Sequence, residues 1–423
     1  LRPESKVAFS IQKPPMKHYY LLLSLILTNT YSFAQKENFS YKFYGFVRGD
    51  LFYNTRANMA PVDGNFYLFP LNESLDANGK DLNATPNGSF YTFTTRLGMD
   101  VQGPQIGTAR SSAKVETDFG GFSASTTMLR IRQAYVALDW TRSQLLIGQT
   151  WHPLFGSVMP DMLNLSTGAP FQPFNRSPQI RYQYRKDKLK LTASALWQLQ
   201  YLSSGPKGMS EDYIKNSCVP ELYAGADFIS GKEWLVGAGI HLISLTPRAV
   251  SEWNDKKYKV DERMTTFSYE AHARYTGEKF SIAAKTIMAS ALDQTALLGG
   301  YGVKRVDAST GEQEYTPFRH ATSWLNITYG KKWKPGLFVG YTKNLGTNDP
   351  LVSADKVYGL GLAIDQLLTF NAAFSYNLPN WLIGFEYCPA TAWYGQICSA
   401  TGKVVNSQAV TNHRFLGMVM YYF

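Results

Sequence analysis

From Phe39 onward, apolar and polar residues alternate with period two in runs broken by Gly, Pro, Asn and Asp, and helical periodicity is almost absent. The runs predict strands at about 39–54, 90–102, 111–120, 127–140, 143–151, 177–186, 188–202, 218–229, 232–246, 264–276, 278–290, 320–331, 335–344, 367–377, 380–388 and 411–423, sixteen in all. Their links keep a rhythm. Even-numbered strands are followed by short turns, such as Thr141-Arg142, Asp187, Ser230-Gly231, Gly277 and Leu378-Pro379. Odd-numbered strands lead into the long stretches 55–89, 152–176, 203–217, 247–263, 291–319, 345–366 and 389–410, with 121–126 the brief exception. A soluble sandwich has no reason to collect its long loops at one end. The expected fold is therefore all-β: a transmembrane antiparallel β-barrel of sixteen strands with short periplasmic turns and long extracellular loops.

The two faces of each strand differ in kind. In the first strand Tyr41, Phe43, Gly45, Val47, Gly49 and Leu51 alternate with Lys42, Tyr44, Phe46, Arg48 and Asp50. In the tenth, Phe267, Tyr269, Ala271, Ala273 and Tyr275 alternate with Ser268, Glu270, His272 and Arg274. Aromatic residues crowd strand ends, as at Tyr182 and Tyr184 or Tyr421 and Phe423, where the interfacial girdles of a barrel lie. The stretch RFLGMVMYYF reads as a lipid-facing last strand that pairs with the first and abolishes the sheet edge. Leu145, Leu146 and Ile147 run together, so the facing of the fifth strand stays open.

Composition agrees with a membrane setting. Aromatics make up 14% and charged residues only 17%, against roughly 25% charged in ordinary soluble domains. No window approaches the ~18 consecutive apolar residues of a spanning helix. Residues 16–34, MKHYYLLLSLILTNTYSFA, have the layout of a secretory signal peptide with cleavage after Ala34, leaving 35–423 as the barrel domain. Residues 1–15 precede the start-like Met16 and are read as an upstream artefact. Export permits disulfides. Of Cys218, Cys388 and Cys398, the latter two flank one loop and form a possible disulfide, with free thiols the alternative.

The chain carries a formal +10, and its first 34 residues hold four basic groups and one acid, so the remainder is near +7. Lys and Arg are spread singly rather than gathered in a patch, which argues against nucleic acid. No GxSxG, HExxH or GxxxxGK[ST] occurs, and six histidines are scattered, so neither catalytic residues nor a cofactor or metal site is signalled. A lipase-like barrel enzyme assembled from distant strands and a receptor or adhesin barrel with a plugged lumen are the competing classes.

The inward-facing charges are more informative. Arg48, Arg96, Lys114, Arg130, Arg132, Arg181 and Arg185 share the lumenal parity of the first strands and would attract anions, each guanidinium offering a carboxylate two hydrogen bonds. Alternatively they neutralise Asp50, Asp100, Glu116, Asp118, Glu270 and Glu386, which face the same space. Residues 151–176 hold four prolines and read as an ordered third loop, folded into the barrel as a constriction or lying across its mouth. Phe155, Phe171 and Phe174 would pack that loop on the wall, leaving Asp161, Asn164 and Arg176 at the opening.

The ordered series RLGMDVQGP, KVETDFGG, LRIRQAYVALDW, LLIGQTWHPLF and RSPQIRYQYR, between Arg96 and Arg185, resembles the DcaP-like outer-membrane porins. The resemblance implies a sixteen-stranded trimeric barrel in the Gram-negative outer membrane that passes small anionic solutes such as dicarboxylates, with Arg130, Arg132 and Arg181 as leading pore residues. It implies no cofactor. Expected partners are membrane lipid and lipopolysaccharide, two further copies of the chain, and the outer-membrane assembly machinery acting on the C-terminal strand. The N-terminal helical extension of some family members has no counterpart in Gln35–Asn38.

Overall fold

The computed structural model describes residues 39–61, 65–120 and 128–423. The signal-peptide reading of 16–34 and the reading of 1–15 lie outside the described residues.

Among the described residues sixteen long strands form the wall: β1 (Ser40–Asn54), β2 (Arg96–Ile106), β3 (Ala109–Asp118), β4 (Arg130–Asp139), β5 (Ser143–Trp151), β6 (Arg176–Lys186), β7 (Leu189–Leu196), β8 (Glu221–Ser230), β9 (Trp234–Leu245), β10 (Met264–Thr276), β11 (Phe280–Ser290), β12 (Gln313–Tyr329), β13 (Trp333–Thr347), β14 (Ile364–Asn377), β15 (Trp381–Ile397) and β16 (Val404–Tyr422). Each pairs antiparallel with its chain neighbours, and β1 pairs with β16 from Phe46↔Tyr422 to Asn54↔Arg414, so the sheet closes on itself. Closure satisfies every edge donor and acceptor, which hydrocarbon cannot do. At the seam the amide of Gly45 donates to Phe423 O at 3.1 Å and the amide of Phe423 donates to Gly45 O at 3.2 Å. A Cβ on Gly45 would come within 2.7 Å of the Phe423 ring, so this seam requires glycine.

Alternation places the residues as the pattern predicts. Tyr41, Phe43, Val47 and Leu51 are exposed on the outside, while Arg48, Asp50, Phe52 and Asn54 are buried inside. In β5 the undecided facing resolves with Ile147 outward and Leu146 inward. The expected second strand is split: Asn87–Tyr91 pairs with the upper part of β1, and the wall strand starts at Arg96. On the far side β12, β15 and β16 run beyond their expected bounds, so stretches read as loops at 313–319, 389–397 and 404–410 are strand projecting above the membrane.

That extension rules out the Cys388–Cys398 pairing. All three cysteines are free. Cys388 sits within β15 and Cys398 just beyond it, ten positions along an extended strand, so their Cα atoms are roughly 30 Å apart, against the few ångströms a disulfide spans.

The lumen is not simply wet. One buried apolar cluster joins Phe155, Val158, Phe171 and Phe174 of the third loop to the inward wall residues Trp324, Phe338 and Leu367. The first loop, expected as a surface excursion, also turns inward. Residues 65–70, NFYLFP, are all buried. Phe66 meets Phe174 edge-on at 4.7 Å between ring centroids, and the Tyr394 hydroxyl donates to Pro70 O at 2.7 Å.

Candidate pore and its constriction

The third loop, 152–175, leaves the end of β5 and travels along the inner wall before entering β6. Inward basic and acidic groups fasten its backbone. The Lys285 ammonium donates to Leu154 O at 2.6 Å and Phe155 O at 3.0 Å, and Arg274 donates to Ser157 O at 3.0 Å. Farther round, the Asp161 amide donates to Asn326 Oδ1 at 2.8 Å, the amides of Leu163 and Asn164 donate to Glu386 Oε2 at 2.7 and 3.2 Å, and Arg48 donates to Leu163 O at 2.7 Å. The loop thus spans the interior from β10 and β11 across β12 and β15 to β1. A loop buried without such partners would leave its peptide groups unsatisfied. Rings complete the grip: each buried phenylalanine contributes roughly 2 kcal/mol of transfer free energy, offsetting part of the entropy of ordering the loop. Phe171 lies so close over Gly340 that a Cβ there would sit 2.4 Å from Cγ of the ring.

Most of the expected guanidinium ladder is neutralised. Arg48 pairs with Asp50 at 2.7 Å, Arg130 with Asp118 at 2.8 Å, and Arg132 with both Glu116 at 2.9 Å and Asp118 at 2.6 Å, while Arg96 approaches Glu116 at 3.6 Å. Four arginines therefore face three carboxylates. Lys114 is held by Asp100 at 2.7 Å and by the Tyr44 hydroxyl at 2.9 Å. Removing one partner would strand a desolvated charge, so these networks stiffen this sector of the wall.

Two residues expected at the opening lie behind it. Asn164 is buried, its Oδ1 accepting from the Ser166 amide within the loop. Arg176 is fully buried at the start of β6, with its guanidinium carbon 4.7, 5.2 and 5.5 Å from the rings of Trp151, Phe174 and Tyr201 and one bond to the Tyr201 hydroxyl at 2.6 Å. Aromatic faces, not water, surround that cation. Asp161 is exposed and pairs with Lys334, whereas Phe155, Phe171 and Phe174 are all buried against the wall and one another.

The polar space lies beneath the first turn of the loop. A cavity of about 300 Å³ is lined by Arg181, Arg185, Lys190, Asp227 and His272 from the wall and by Ser157 from the loop. Lys190 pairs with Asp227 at 2.5 Å, and His272 bridges Asp227 at 2.9 Å and Glu270 at 2.8 Å. Arg181 has no carboxylate partner among the described residues; it donates to Gln179 Oε1 at 2.9 Å and to Trp151 O. Arg185 is exposed to the cavity. A recess of about 700 Å³ adjoins it, shares Trp151, Gly156 and Ser157, and carries Arg274, Lys279 and Lys334.

His152, Glu221 and His241 form a buried cluster with metal-like spacing. Its proton pattern favours a neutral His152 facing Glu221 instead. The Leu154 amide donates to His152 Nδ1 at 3.1 Å, which leaves the ring proton on Nε2, directed at Glu221. Glu221 also takes His241 Nε2 at 2.9 Å and the side-chain amides of Gln198 at 2.7 Å and Gln294 at 3.1 Å. A metal on Nε2 needs that proton elsewhere. The cluster ties the root of the third loop to four other segments, those of Gln198, Glu221, His241 and Gln294.

Sequence reading missed the inward turn of the first loop and the partnership of Asp227 with Lys190 and His272. The apolar run FYLFP within a long polar loop was the available signal for the first. The second joins residues far apart in the chain and leaves no local trace.

A closed sixteen-strand barrel with an inward third loop and a charged lumen defines the class of outer-membrane porins. The match to known proteins agrees. The family model of the DcaP outer membrane protein covers residues 23–259, more than half of the chain, and the chain belongs to that family. The fold is similar to the outer-membrane channel DcaP of Acinetobacter baumannii, with TM-score 0.67 and 20% identity over 91% of this chain and 98% of that one. It also resembles OmpT of Vibrio cholerae (TM-score 0.54, 13% identity, 92% and 99% covered) and OmpF of Salmonella typhi in complex with daunomycin (0.52, 11%, 90% and 97%). No curated protein sequence matches. The chain is an outer-membrane channel of the DcaP type, and no enzymatic family is indicated.

Proposed function

We propose that this channel passes small hydrophilic solutes by diffusion and prefers anions, dicarboxylates among them, without cofactor or catalysis. The observation that carries the reading is the cavity beneath the third loop, where Arg181 and Arg185 stand without a carboxylate among the described residues while Asp227 is shared by Lys190 and His272. An excess of positive charge between low-dielectric walls concentrates anions, and the loop sets the size limit. The paired arginines Arg48, Arg96, Arg130 and Arg132, with Lys114, act chiefly as scaffold in this reading, and Asp161 with Lys334 stands at the edge of the passage. A homotrimer is part of the proposal; the OmpT of Vibrio cholerae to which the fold is similar includes a trimer form. The inward aromatic segment of the first loop favours a second reading, a receptor barrel with an occluded lumen.

Planar-bilayer recordings decide between them. The expected result is measurable conductance and an anion-selective reversal potential in salt and succinate gradients, with Arg185→Gln lowering the anion-to-cation permeability ratio by roughly a factor of two. Cation preference in the unaltered protein overturns the anion reading, and absence of conductance favours the receptor.

A further inference from the structure

The short turns at one end of the barrel carry a charge pattern that extends beyond the lumen. Four successive turns around the periplasmic rim hold Lys186 and Lys188, Lys232, Lys279, and Lys331 and Lys332, all exposed, against Asp187, Glu233 and Glu278. None of the six lysines forms an ion pair among the described residues, unlike Lys190 or Lys334 a few positions away. Lys279 and Lys331 also border the lumenal recess, and two of the others show the outward face of the rim. The Lys188 ammonium lies 5.8 Å from the ring centre of Phe228 and that of Lys332 lies 5.5 Å from Tyr376. Both rings stand on the lipid side: Phe228 is 51% exposed, and Tyr376 packs at 4.2 Å on the outward Trp333.

Just above the lysines runs an outward belt of rings. Trp234 meets Tyr275 at 4.7 Å, Tyr275 meets Phe280 at 5.3 Å, and Trp333 meets Phe374 at 5.6 Å. Aromatic belts mark headgroup depth, and ammonium groups snorkelling past them reach the phosphate layer. We infer that this rim, from β6 to β13, is a binding surface for anionic glycerophospholipid of the periplasmic leaflet. The lysines take the headgroup phosphate and the rings take the upper acyl chain. Lipopolysaccharide fits less well, because its leaflet is at the long-loop end. Free phosphate lacks the apolar body that the rings would cover.

The test is native mass spectrometry of the full detergent-purified protein titrated with dioleoylphosphatidylglycerol or dioleoylphosphatidylethanolamine. The anionic lipid is expected to be retained roughly fivefold better or more, since each lysine near a lipid surface adds appreciable attraction. Lys188→Gln with Lys332→Gln should abolish the difference while heat-modifiable gel mobility reports an intact barrel. Lys186→Gln with Lys232→Gln serves if the first pair does not fold. Lys403→Gln, at the opposite end, should leave the difference in place. Equal retention of the two lipids overturns the inference, as does a preference that survives both rim variants or that Lys403→Gln removes equally. Displacement of the lipid by an equal concentration of inorganic phosphate would make the rim a phosphate site and also overturn it.

Discussion

Asp293 shows how one residue couples the outer loops to pH. It is buried between the ends of β11 and β12, accepts the Ser204 amide at 2.7 Å, and keeps its other carboxylate oxygen unpartnered. Burial pushes its carboxyl up to about 6. The folded state therefore holds this proton more tightly than the unfolded chain, so its favourable contribution is full below the unfolded value of about 4 and is lost as pH rises towards 6. Asp293→Asn is expected to remove that pH dependence and raise stability at pH 7 by on the order of 2 kcal/mol. Heat-modifiable mobility of the two proteins at pH 4 and pH 7 measures it. The ion pairs of β3 and β4 carry the opposite lesson. Arg132→Ala leaves Glu116 and Asp118 short of a donor in a desolvated wall and should cost roughly 3 kcal/mol, while shifting ion selectivity less than Arg185→Gln does.

At the scale of elements, the third loop and the wall strands are fitted to each other. Gly340 in β13 leaves the space that Phe171 fills, and Trp324 Nε1 donates to Gln172 Oε1 at 3.0 Å. Gly340→Ala should therefore push the middle of the loop off the wall. Overpacking of this kind costs about 1–3 kcal/mol, small against the barrel but large for one loop. The expected outcome is a folded barrel with higher single-channel conductance, read in the same bilayers. Unchanged conductance would mean that the loop does not set the narrowest point. The first loop belongs to the same apparatus, since Phe66 rests on Phe174 and Asn65 donates to Asp50 at 3.3 Å. Its inward turn follows from an elementary constraint: Phe66, Tyr67, Leu68 and Phe69 have no lipid at the height of the loops and bury themselves against the third loop and the inner wall.

For the whole molecule, closure dominates. The seam between β1 and β16 converts a twisted sheet into an object whose outside is hydrocarbon-compatible and whose inside can hold charges. The unbroken course of β15 keeps Cys388 and Cys398 apart. Thiol labelling with a membrane-impermeant maleimide should modify exposed Cys218 readily and buried Cys388 only after unfolding, and the non-reduced protein should show no internal disulfide by mass. An intramolecular link between Cys388 and Cys398 would contradict the continuous β15.

Strand number, the short-long rhythm of the links and the outward faces were legible in the sequence, because each depends on residues two apart or on turn chemistry at one place. So were the inward positions of Arg48, Arg132 and Arg181, which parity alone supplies. Which of those charges remain uncompensated was not legible. Arg132 meets Asp118 and Glu116 from the neighbouring strand, whereas Arg181 meets a peptide oxygen of the folded-in loop, and only cross-strand register and loop path separate the two cases. The sequence by itself determined a membrane barrel, since the short-long rhythm of the links and the aromatic strand ends accompany the period-two alternation, which a soluble sandwich would share. The tertiary structure decided which loops enter the lumen and where positive charge stays free, because both depend on cross-strand and loop-to-wall contacts, from Arg132 with Asp118 to Leu163 with Glu386, which no local pattern encodes.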